Sequence, residues 1–289
     1  MPNKYRLSSK DFDRENPNQQ IQPMKVYYIA VEGNKTEKEY FEGLSEYRSA
    51  LGIKAIVDIT VLDRASNDGH SAPSQVLELL EEYIQLRNTD DLEEDLPTEI
   101  LKSYRKEFIH QYLNDRSSIP EPKLEQFEND LLKEGYDIQY RQYLNKYSSD
   151  FDEFCIMIDR DAHCHSAQCM KDIVDHCRKK KYHCYIANPC FEFWLLLHLS
   201  DVKTEYADKL TEIKANKKVS NKHTFVSNEV SKKAHHCKSN LRFKDIYLPN
   251  IPKAIERAKQ FKSDEYDLID HIGCNVWKLI EAMKKNNTV

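Results

Sequence analysis

The sequence lacks two features that mark membrane and secreted proteins. It has no run of about 18 apolar residues, the length that a membrane-spanning helix needs, and no basic and apolar N-terminal leader. Its 289 residues are 40% hydrophobic and 31% charged, which is enough for a core that needs no cross-links. We therefore expect a soluble, cytoplasmic protein of one large or two small domains, with no membrane association.

The sequence also lacks the cysteine spacing of disulfide scaffolds and zinc knuckles. No C-x-x-C pair occurs among its eight cysteines. Six of them fall in strand-like and helix-like patterns instead of framing loops: Cys155, Cys164, Cys169, Cys177, Cys184 and Cys190. We expect reduced thiols, mostly small core residues. A zinc site built from His163, Cys164, His165 and Cys169 is a minority alternative.

An even spread of charge is missing too. The formal net charge of −5 combines two opposed regions. Residues 85–150 carry 15 acidic and 9 basic residues, net −6, whereas residues 203–244 carry 4 acidic and 11 basic, net +7 with neutral histidines. A basic segment on an acidic protein is a local electrostatic footprint for a polyanion.

Strand-like and helix-like patterns alternate along most of the chain. Strands are predicted at 26–31, 55–62, 154–158 and 182–187. The alternation predicts an α/β fold with a mostly parallel sheet flanked by helices. We divide the chain into a polar N-terminal arm (1–24), a first part of the core (25–87), a charged helical insertion (88–150), a second part of the core (151–202), and a basic segment with a helical C-terminal extension (203–289).

Two helix starts are predicted from capping patterns. Asn34 and Glu37 form a capping-box pattern before an apolar helical face. Asn188 and Pro189 resemble an N-cap followed by the first residue of an apolar helix. In that second helix Glu192 would be costly to bury without a partner, because an unpaired carboxylate in apolar surroundings costs several kcal/mol.

Acidic residues follow two of the predicted strands directly. Glu32 comes after the first strand, and Asp159 and Asp161 come at the end of the third. The carboxyl ends of parallel strands meet at one edge of a sheet, where ligands bind. Alternation along extended backbone would place both aspartates on the same side. Three such acids predict a hard-oxygen site of the kind that Mg²⁺ prefers.

The motifs VEGNKTEKEYF, IDRDAH and NPCFEFWLLLHL, followed by a basic region and PKAIERAK, resemble the RloB family of bacterial defence proteins. The match covers roughly residues 25–70 and 154–280. The resemblance implies a sheet similar to the Toprim fold. It further implies a Mg²⁺-dependent nuclease with one or two ions, in which Mn²⁺ can substitute.

The resemblance also implies roles for particular residues. Glu32, Asp159 and Asp161 would bind the metal, and Glu32 would also act in phosphodiester chemistry. Similarity to overcoming-lysogenization-type nucleases adds Glu37 and Glu192 as catalytic acids at a second metal position. Lys253 would contact the phosphate or the transition state.

The biological role follows from the same resemblance. It implies an abortive-infection effector that acts with an ABC/SMC-like ATPase encoded nearby. The target would be host nucleic acid, either tRNA or DNA. The acidic insertion is a candidate for partner docking or for self-association as a homodimer, although helical packing alone would explain it.

The basic segment is predicted to be a phosphate-tracking arm without base specificity. Its candidate contacts are Lys217, Lys218, Lys222, Lys232, Lys233, His235, His236, Lys238, Arg242 and Lys244. Phe225 and Phe243 lie in the same segment, and the alternative is a solvated loop. Trp194 and Phe191 are expected in the core.

Each candidate acid also has a structural alternative. Glu32 would suit a helix N-terminus, the two aspartates would suit a turn, and a capping-box Glu37 needs no other purpose. Two further functions stay open. A non-catalytic module would bind nucleic acid or the ATPase without cleavage, and an enzyme for small phosphates would work without the basic segment.

Overall fold

The computed structural model describes residues 25–33, 35–54, 57–62, 72–87, 96–114, 118–134, 152–234 and 241–285. The chain divides into two compact units. One contains the described residues between 81 and 134, and the other contains the remaining described residues. The expected N-terminal arm and the last part of the helical insertion lie outside the described residues.

A five-stranded sheet forms the centre of the larger unit, in the order β2-β1-β3-β4-β5. The strands β1 to β4 are parallel, and the two-residue β5 is antiparallel to β4. This confirms the predicted mostly parallel α/β sheet. The strands are β1 (Lys25–Val31), β2 (Val57–Val61), β3 (Glu153–Asp159), β4 (His183–Asn188) and β5 (Gly273–Cys274).

Helices account for most of the remaining described residues. Two short 3-10 helices, at Arg48–Leu51 and Leu248–Asn250, accompany them. The α-helices are α1 (Thr36–Glu46), α2 (Pro73–Arg87), α3 (Thr98–Ser103), α4 (Lys106–Asn114), α5 (Glu121–Lys133), α6 (Ala167–Lys180), α7 (Phe191–Leu199), α8 (Val202–Glu205), α9 (Leu210–Ala215), α10 (Phe225–Lys233), α11 (Phe243–Ile246), α12 (Ile251–Ala258), α13 (Asp267–Asp270) and α14 (Val276–Lys285).

The apolar helix α7 is at the heart of the core. Phe191 and Trp194 are almost completely buried, as predicted. The helix packs against α10 and α12. One polar residue in it, His198, is buried because its Nδ1–H donates to the Trp194 carbonyl at 2.9 Å, which leaves Nε2 to accept from the Tyr40 hydroxyl at 3.2 Å. An apolar helix whose one buried histidine is hydrogen-bonded on both ring nitrogens explains why the NPCFEFWLLLHL segment anchors the fold.

The start of α7 corrects the predicted capping. Asn188 is the last residue of β4, and its side-chain amide donates to the Leu268 carbonyl at 2.8 Å. The helix begins at Phe191, with Cys190 in the N-cap position and no side-chain cap from it. The Phe191 N–H donates instead to Asp159 Oδ1 at 2.8 Å. The local pattern was wrong here because the acceptor comes from a strand 32 residues away in the chain.

The helices α6 and α1 begin with different N-cap residues. Ser166 is the N-cap of α6, and its hydroxyl accepts from the Cys169 N–H at 3.1 Å. In α1 the N-cap is Lys35 and the helix begins at Thr36. Asn34, the other half of the predicted capping box, lies outside the described residues.

The basic segment differs from the predicted arm. Its described residues form the helices α8 to α11, and it contributes buried apolar side chains to the core of the larger unit. Phe243 packs against Gly43, where any Cβ would meet its ring. The prediction of an arm was wrong because it rested on the net charge of the segment, whereas widely spaced apolar residues in and just before the segment enter the core. These residues are Val202, Tyr206, Ile213, Val226, Val230, Leu241 and Phe243.

The smaller unit has a core of its own, made by α3, α4 and α5. The Phe127 ring is fully buried and makes edge contacts with Tyr104, Phe108 and Tyr112. Two tyrosine hydroxyls donate to acids, Tyr104 to Asp130 at 2.7 Å and Tyr112 to Glu128 at 3.0 Å. Helical packing therefore accounts for the two described tyrosines of this region.

No described helix combines the length and the apolar character that crossing a membrane requires. The seven described cysteines are all free thiols. Cys164 is exposed in a turn, so the prediction that it belongs to a strand or helix was wrong.

Candidate active site

The ends of β1 and β3 are joined through Glu32. The backbone N–H of Glu32 donates to the Met157 carbonyl at 3.1 Å and so extends the parallel ladder one residue past β1. Its side-chain Oε2 then accepts from the Asp159 N–H at 2.9 Å. The carboxylate of Glu32 is thereby held beside the carboxyl end of β3, as the strand order predicted.

Asp159 links β3 to the first turn of α7. It is the last residue of β3, and its Oδ1 accepts the Phe191 N–H that would otherwise be unsatisfied at the helix start. Among the described residues, the Phe191 N–H is the only donor to this carboxylate, so none of them donates to the second oxygen. Asp159 is thus fixed in orientation while it retains one oxygen for a ligand.

Glu37 reaches the same edge from α1. It is the second residue of the helix and only 7% exposed. Its carboxyl lies against the backbone of Gly33, where a Cβ would overlap the carboxyl atoms. The glycine after Glu32 therefore has a physical purpose, because it makes room for the Glu37 carboxyl beside the end of β1.

The charges of neighbouring carboxylates raise the pKa of Asp159. The pKa of Asp159 lies well above its ordinary value, first because of burial and then because of the charges of Glu37, Glu32 and Glu192. The hydrogen bond from Phe191 acts in the opposite direction. Four carboxyl groups from separate elements are therefore close enough to repel one another, and we call them the carboxylate cluster: Glu32, Glu37, Asp159 and Glu192.

Glu37 shows the strongest consequence of this crowding. Its pKa is raised to about 7, first by burial and next by the charge of Glu192, with Glu32 adding to the rise. Hydrogen bonds from the backbone of Glu37 and Gly33 offset part of it. A carboxyl group with a pKa near neutrality exchanges protons at physiological pH, as a general acid or base must.

Glu192 completes the cluster from the first turn of α7. It is the second residue of that helix and half-buried, whereas Phe191 and the residues at 193–198 are buried. Sequence reasoning placed it deeper in the helix. Its charge acts on Glu37, Asp159 and the Cys190 thiol. The neighbours on which its charge acts are acids and a thiol, an arrangement that favours a cation.

Asp161 lies beside the cluster, in the turn that follows β3. The N–H groups of Arg160 and Asp161 both donate towards the chain of β4, to the Ala187 carbonyl at 2.9 Å and the Pro189 carbonyl at 3.0 Å. In a regular strand, the N–H groups of successive residues point to opposite sides. These two point to the same side, so the strand pattern stops at Asp161. Its Oδ1 accepts from the His163 N–H at 3.1 Å. The groups that dominate the pKa of Asp159 do not include Asp161.

The turn is held in place by the buried side chain of Arg160. Its Nε donates to the Ile269 carbonyl at 2.6 Å and its Nη1 donates to the His165 carbonyl at 2.8 Å. The guanidinium is therefore satisfied by backbone oxygens, although two aspartates flank it in the sequence. Arg160 ties the turn to α13 and thereby positions the residues that follow β3.

His165 connects the turn after β3 to the carboxylate cluster. Its Nε2 lies 3.4 Å from Glu32 Oε1, and both side chains are largely buried, at 12% and 18% exposure. The pKa of His165 is lowered, chiefly by burial, while the charge of Asp161 acts in the opposite direction. The sequence suggested His165 as part of the zinc alternative and gave no sign of its pairing with Glu32.

Among the described residues, no three His, Cys, Asp or Glu side chains are arranged as a ready metal site. This finding covers the carboxylate cluster as well as the zinc alternative at His163, Cys164, His165 and Cys169. In the cluster, Glu32 and Asp159 each direct one oxygen to a backbone N–H instead.

Lys253 is not brought to the cluster by any contact in the described part of the chain. It lies on the exposed face of α12, opposite the buried Ile251, Ala254, Ile255 and Ala258. Its role in phosphate binding stays a prediction.

The candidate nucleic-acid contacts fall into three groups. Four are already engaged: Lys232 pairs with Glu229 at 2.7 Å, Lys233 with Glu205 at 2.6 Å and Arg242 with Asp245 at 3.0 Å, and Lys244 lies over the Tyr47 ring. Three exposed lysines make no ion pair within the described residues: Lys217, Lys218 and Lys222. The remaining three, His235, His236 and Lys238, lie outside the described residues.

Sequence reasoning missed the residues that support the acids. Gly33 makes room for Glu37, Arg160 holds the turn, and the Phe191 N–H orients Asp159. A signal existed for Arg160, because an arginine between two aspartates in a strand-end motif needs a partner. No local signal existed for Phe191, whose contribution is a backbone group.

The mostly parallel sheet and the acids at its edge define a class of α/β protein with a candidate site at the carboxyl ends of its strands. A family model described as RloB-like protein matches residues 27–283 of the chain. The chain therefore belongs to the RloB-like family. No curated protein gives a significant match to it, and no solved structure does.

Proposed function

We propose that this chain is a Mg²⁺-dependent endonuclease with its active site at the carboxylate cluster. The observation that carries the proposal is the crowding of four carboxyl groups at the ends of β1 and β3 and the starts of α1 and α7. Such crowding lowers stability unless a cation offsets it, and perturbed carboxyl pKa values of this kind concentrate at functional sites.

The chemistry of the donors, all of them carboxylate oxygens, suits a hard divalent cation. Carboxylate oxygens are the ligands that Mg²⁺ takes in proteins, and Mn²⁺ accepts the same set. Glu32, Asp159 and Glu192 would hold the first ion, and Asp161 would contribute from the adjoining turn. A bound ion would polarise a phosphoryl oxygen of the substrate, and a second ion is compatible with this number of acids.

The protein's own residues would then perform separate tasks. Asp159 is oriented by the Phe191 N–H, and Glu32 is oriented by the Asp159 N–H and by His165. Glu37, whose pKa is about 7, is suited to accept a proton from the attacking water. The lysines at 217, 218 and 222 would balance the charge of the phosphates.

The biological role is proposed from the resemblance stated above. In that proposal the chain is a Toprim-like effector of anti-phage defence, held inactive or released by an ABC/SMC-like ATPase. Host tRNA is the first substrate to test, and DNA is the second.

The experiment compares wild type with Asp159→Asn, which keeps an oxygen for the Phe191 N–H. Each is expressed with the neighbouring ATPase gene, the system is triggered by infection, and RNA and DNA ends are sequenced. New ends that require Asp159 would establish a nuclease and identify its substrate class. Equal growth arrest in the variant without new ends would favour the non-catalytic binding module.

A second experiment uses the purified chain with Mg²⁺ or Mn²⁺ and with tRNA, single-stranded DNA or a small phosphodiester. Chelation by EDTA and Asp159→Asn are the controls. Cleavage of the polymers alone supports the endonuclease, whereas hydrolysis of the small phosphodiester alone favours the small-phosphate enzyme.

A further inference from the structure

Lys217, Lys218 and Lys222, the candidate contacts with no ion pair to any described residue, lie on a short hairpin, which we call the basic hairpin (residues 217–225). Lys218 and Thr224 form an antiparallel bridge, and the Phe225 N–H donates to the Lys217 carbonyl at 2.9 Å. At the tip, the Ser220 hydroxyl accepts from the N–H groups of Lys222 and His223 at 3.3 and 3.1 Å. The lysines are therefore displayed on an ordered turn.

The base of the basic hairpin is attached to the segments that carry the carboxylate cluster. Asn216 has a left-handed backbone conformation (φ 41°), which turns the chain from α9 into the hairpin. Its side-chain Nδ2 donates to Cys190 Sγ at 3.3 Å, and its Oδ1 accepts from the Val226 N–H at 3.0 Å. Cys190 lies between Asp159's partner Phe191 and the end of β4, so this contact fixes the hairpin at the start of α7.

A second attachment comes from the turn after β3. The His163 Nε2–H donates to the Ala215 carbonyl at 2.9 Å, one residue before Asn216. The turn that carries Asp161 is therefore tied to the base of the basic hairpin.

Three other cations of the same segment differ from these lysines. Lys232, Lys233 and Arg242 each have an acidic partner, so their charge is already balanced. In contrast, the exposed charge of the basic hairpin adjoins an edge of the sheet that is crowded with carboxylates. Lys217, Lys218 and Lys222 therefore place positive charge beside that edge, where a polyanion would otherwise meet repulsion from the carboxylates.

We propose that the basic hairpin binds the sugar-phosphate backbone of a nucleic-acid strand next to the carboxylate cluster. Lys217, Lys218 and Lys222 make the phosphate contacts, and the paired Lys232, Lys233 and Arg242 do not. This inference rests on the proposed function only for the position of the strand over the cluster. Backbone contact implies binding without base specificity.

The test measures binding in EDTA, so that no cleavage is required. Fluorescence anisotropy measures the binding of labelled single-stranded RNA and DNA, both of the same mixed sequence, to the full chain. The salt concentration is varied about sixfold, from roughly 50 to roughly 300 mM, to obtain the salt dependence of the affinity. The variant is Lys217→Gln/Lys218→Gln/Lys222→Gln. The matched control is Lys179→Gln/Lys180→Gln/Lys181→Gln, which removes three exposed lysines at the amino end of β4.

We expect the hairpin variant to bind both strands at least about tenfold more weakly at 150 mM salt and to lose about 2 from the slope of log K against log salt, since each phosphate contact to a single strand contributes about 0.7. The control should keep the slope and affinity of wild type. Equal losses in the two variants, no loss in the hairpin variant, a loss on only RNA or only DNA, or no binding by wild type would each overturn the inference. Single replacements, each expected to remove about 0.7 from the slope, serve if the triple variant is unstable.

The two proposals fail in different ways. Loss of binding in the hairpin variant without any Asp159-dependent cleavage by wild type would remove the nuclease and keep the nucleic-acid contact. Cleavage that depends on Asp159, together with unchanged binding by the hairpin variant, would keep the nuclease and remove the contact.

Discussion

The two ends of β3 carry carboxylates in opposite surroundings. At the amino end, Glu153 pairs with Lys25 at 2.5 Å and with His183 at 2.8 Å, and its pKa is lowered to about 2, first by the hydrogen bond from His183. At the carboxyl end, Asp159 lies among other acids and its pKa is raised well above the ordinary value. The charge of Glu153 at one end of the strand thus stabilises the fold, whereas the charge of Asp159 at the other end destabilises it.

The difference separates a structural carboxylate from a candidate functional one. A paired acid at a sheet edge contributes to stability, whereas a crowded and buried one is retained at a cost that stability alone does not explain. If the comparison is correct, mutations at the two ends of β3 should have opposite effects on stability and unequal effects on activity.

The largest expected effect is on activity at the carboxyl end. Asp159→Asn should lower metal-dependent cleavage at least about 100-fold, because even the partners of metal ligands typically contribute 10-fold to 100-fold. The initial rate of cleavage of the substrate identified by end sequencing is the measurement. Glu153→Gln is the matched control and should cleave within about twofold of wild type, since ordinary surface changes leave the site intact. Equal losses in the two variants would contradict the distinction between the two ends.

Neutralising a crowded acid should raise the stability of the fold, whereas neutralising the paired acid Glu153 should lower it. The folded pKa of Glu37 is about 7 against an ordinary 4.5. The folded state therefore binds more protons than the unfolded state between these values, and wild-type stability falls as pH rises through that window. Glu37→Gln should remove the fall and raise the free energy of unfolding by about 3 kcal/mol at pH 8, with little difference at pH 4.5.

Urea unfolding followed by tryptophan fluorescence measures this effect. Both tryptophans of the chain, Trp194 and Trp277, lie in the unit that contains the sheet, so the signal reports on the relevant unit. A variant that is less stable than wild type at pH 8 would show that Glu37 is not strained by its neighbours.

Metal binding should relieve the same strain. With Mg²⁺ or Mn²⁺ at about 100 times its dissociation constant, linkage predicts about 2.7 kcal/mol of added stability for a folded-state ligand. We expect a clear rise in wild-type thermal midpoint at pH 7.5 and a much smaller one in Asp159→Asn, measured by the same fluorescence. An equal rise in both proteins, or none in wild type, would argue against a cation at the cluster.

Gly33 offers a smaller and more specific change. A Cβ there would overlap the Glu37 carboxyl, and the end of a flexible side chain can move aside without unfolding the protein. Gly33→Ala should therefore lower cleavage by roughly tenfold, or about 1.4 kcal/mol, while the unfolding midpoint at pH 8 stays the same or rises. Gly43→Ala is the contrasting variant, since its Cβ would meet the core ring of Phe243 and should lower stability.

Much of this arrangement was predictable from the sequence. The buried runs before Glu32 and Asp159 and the alternation of strands and helices gave the parallel sheet and the edge where the acids meet. The resemblance added Glu37 and Glu192, which spacing alone did not connect to Glu32. In contrast, the capping of α7 by Asp159, the Glu32 to His165 contact and the attachment of the basic hairpin by Asn216 join residues that are distant in the sequence, so no local pattern carried them.

The smallest expected effect is at the amino end of β3. The folded pKa of Glu153 lies near 2, below its ordinary 4.5, so its contribution to stability is present above pH 4.5 and is lost as pH falls through about 2. Glu153 is 29% exposed, and solvent screening reduces such a pair to about 1 kcal/mol. Glu153→Gln should therefore lower the free energy of unfolding by about that amount at pH 7, with the difference shrinking towards pH 3, when urea unfolding is compared at the two pH values. An increase in stability at pH 7 would mean that the two ends of β3 are alike, and the carboxylate cluster would then lose its distinction from an ordinary sheet edge.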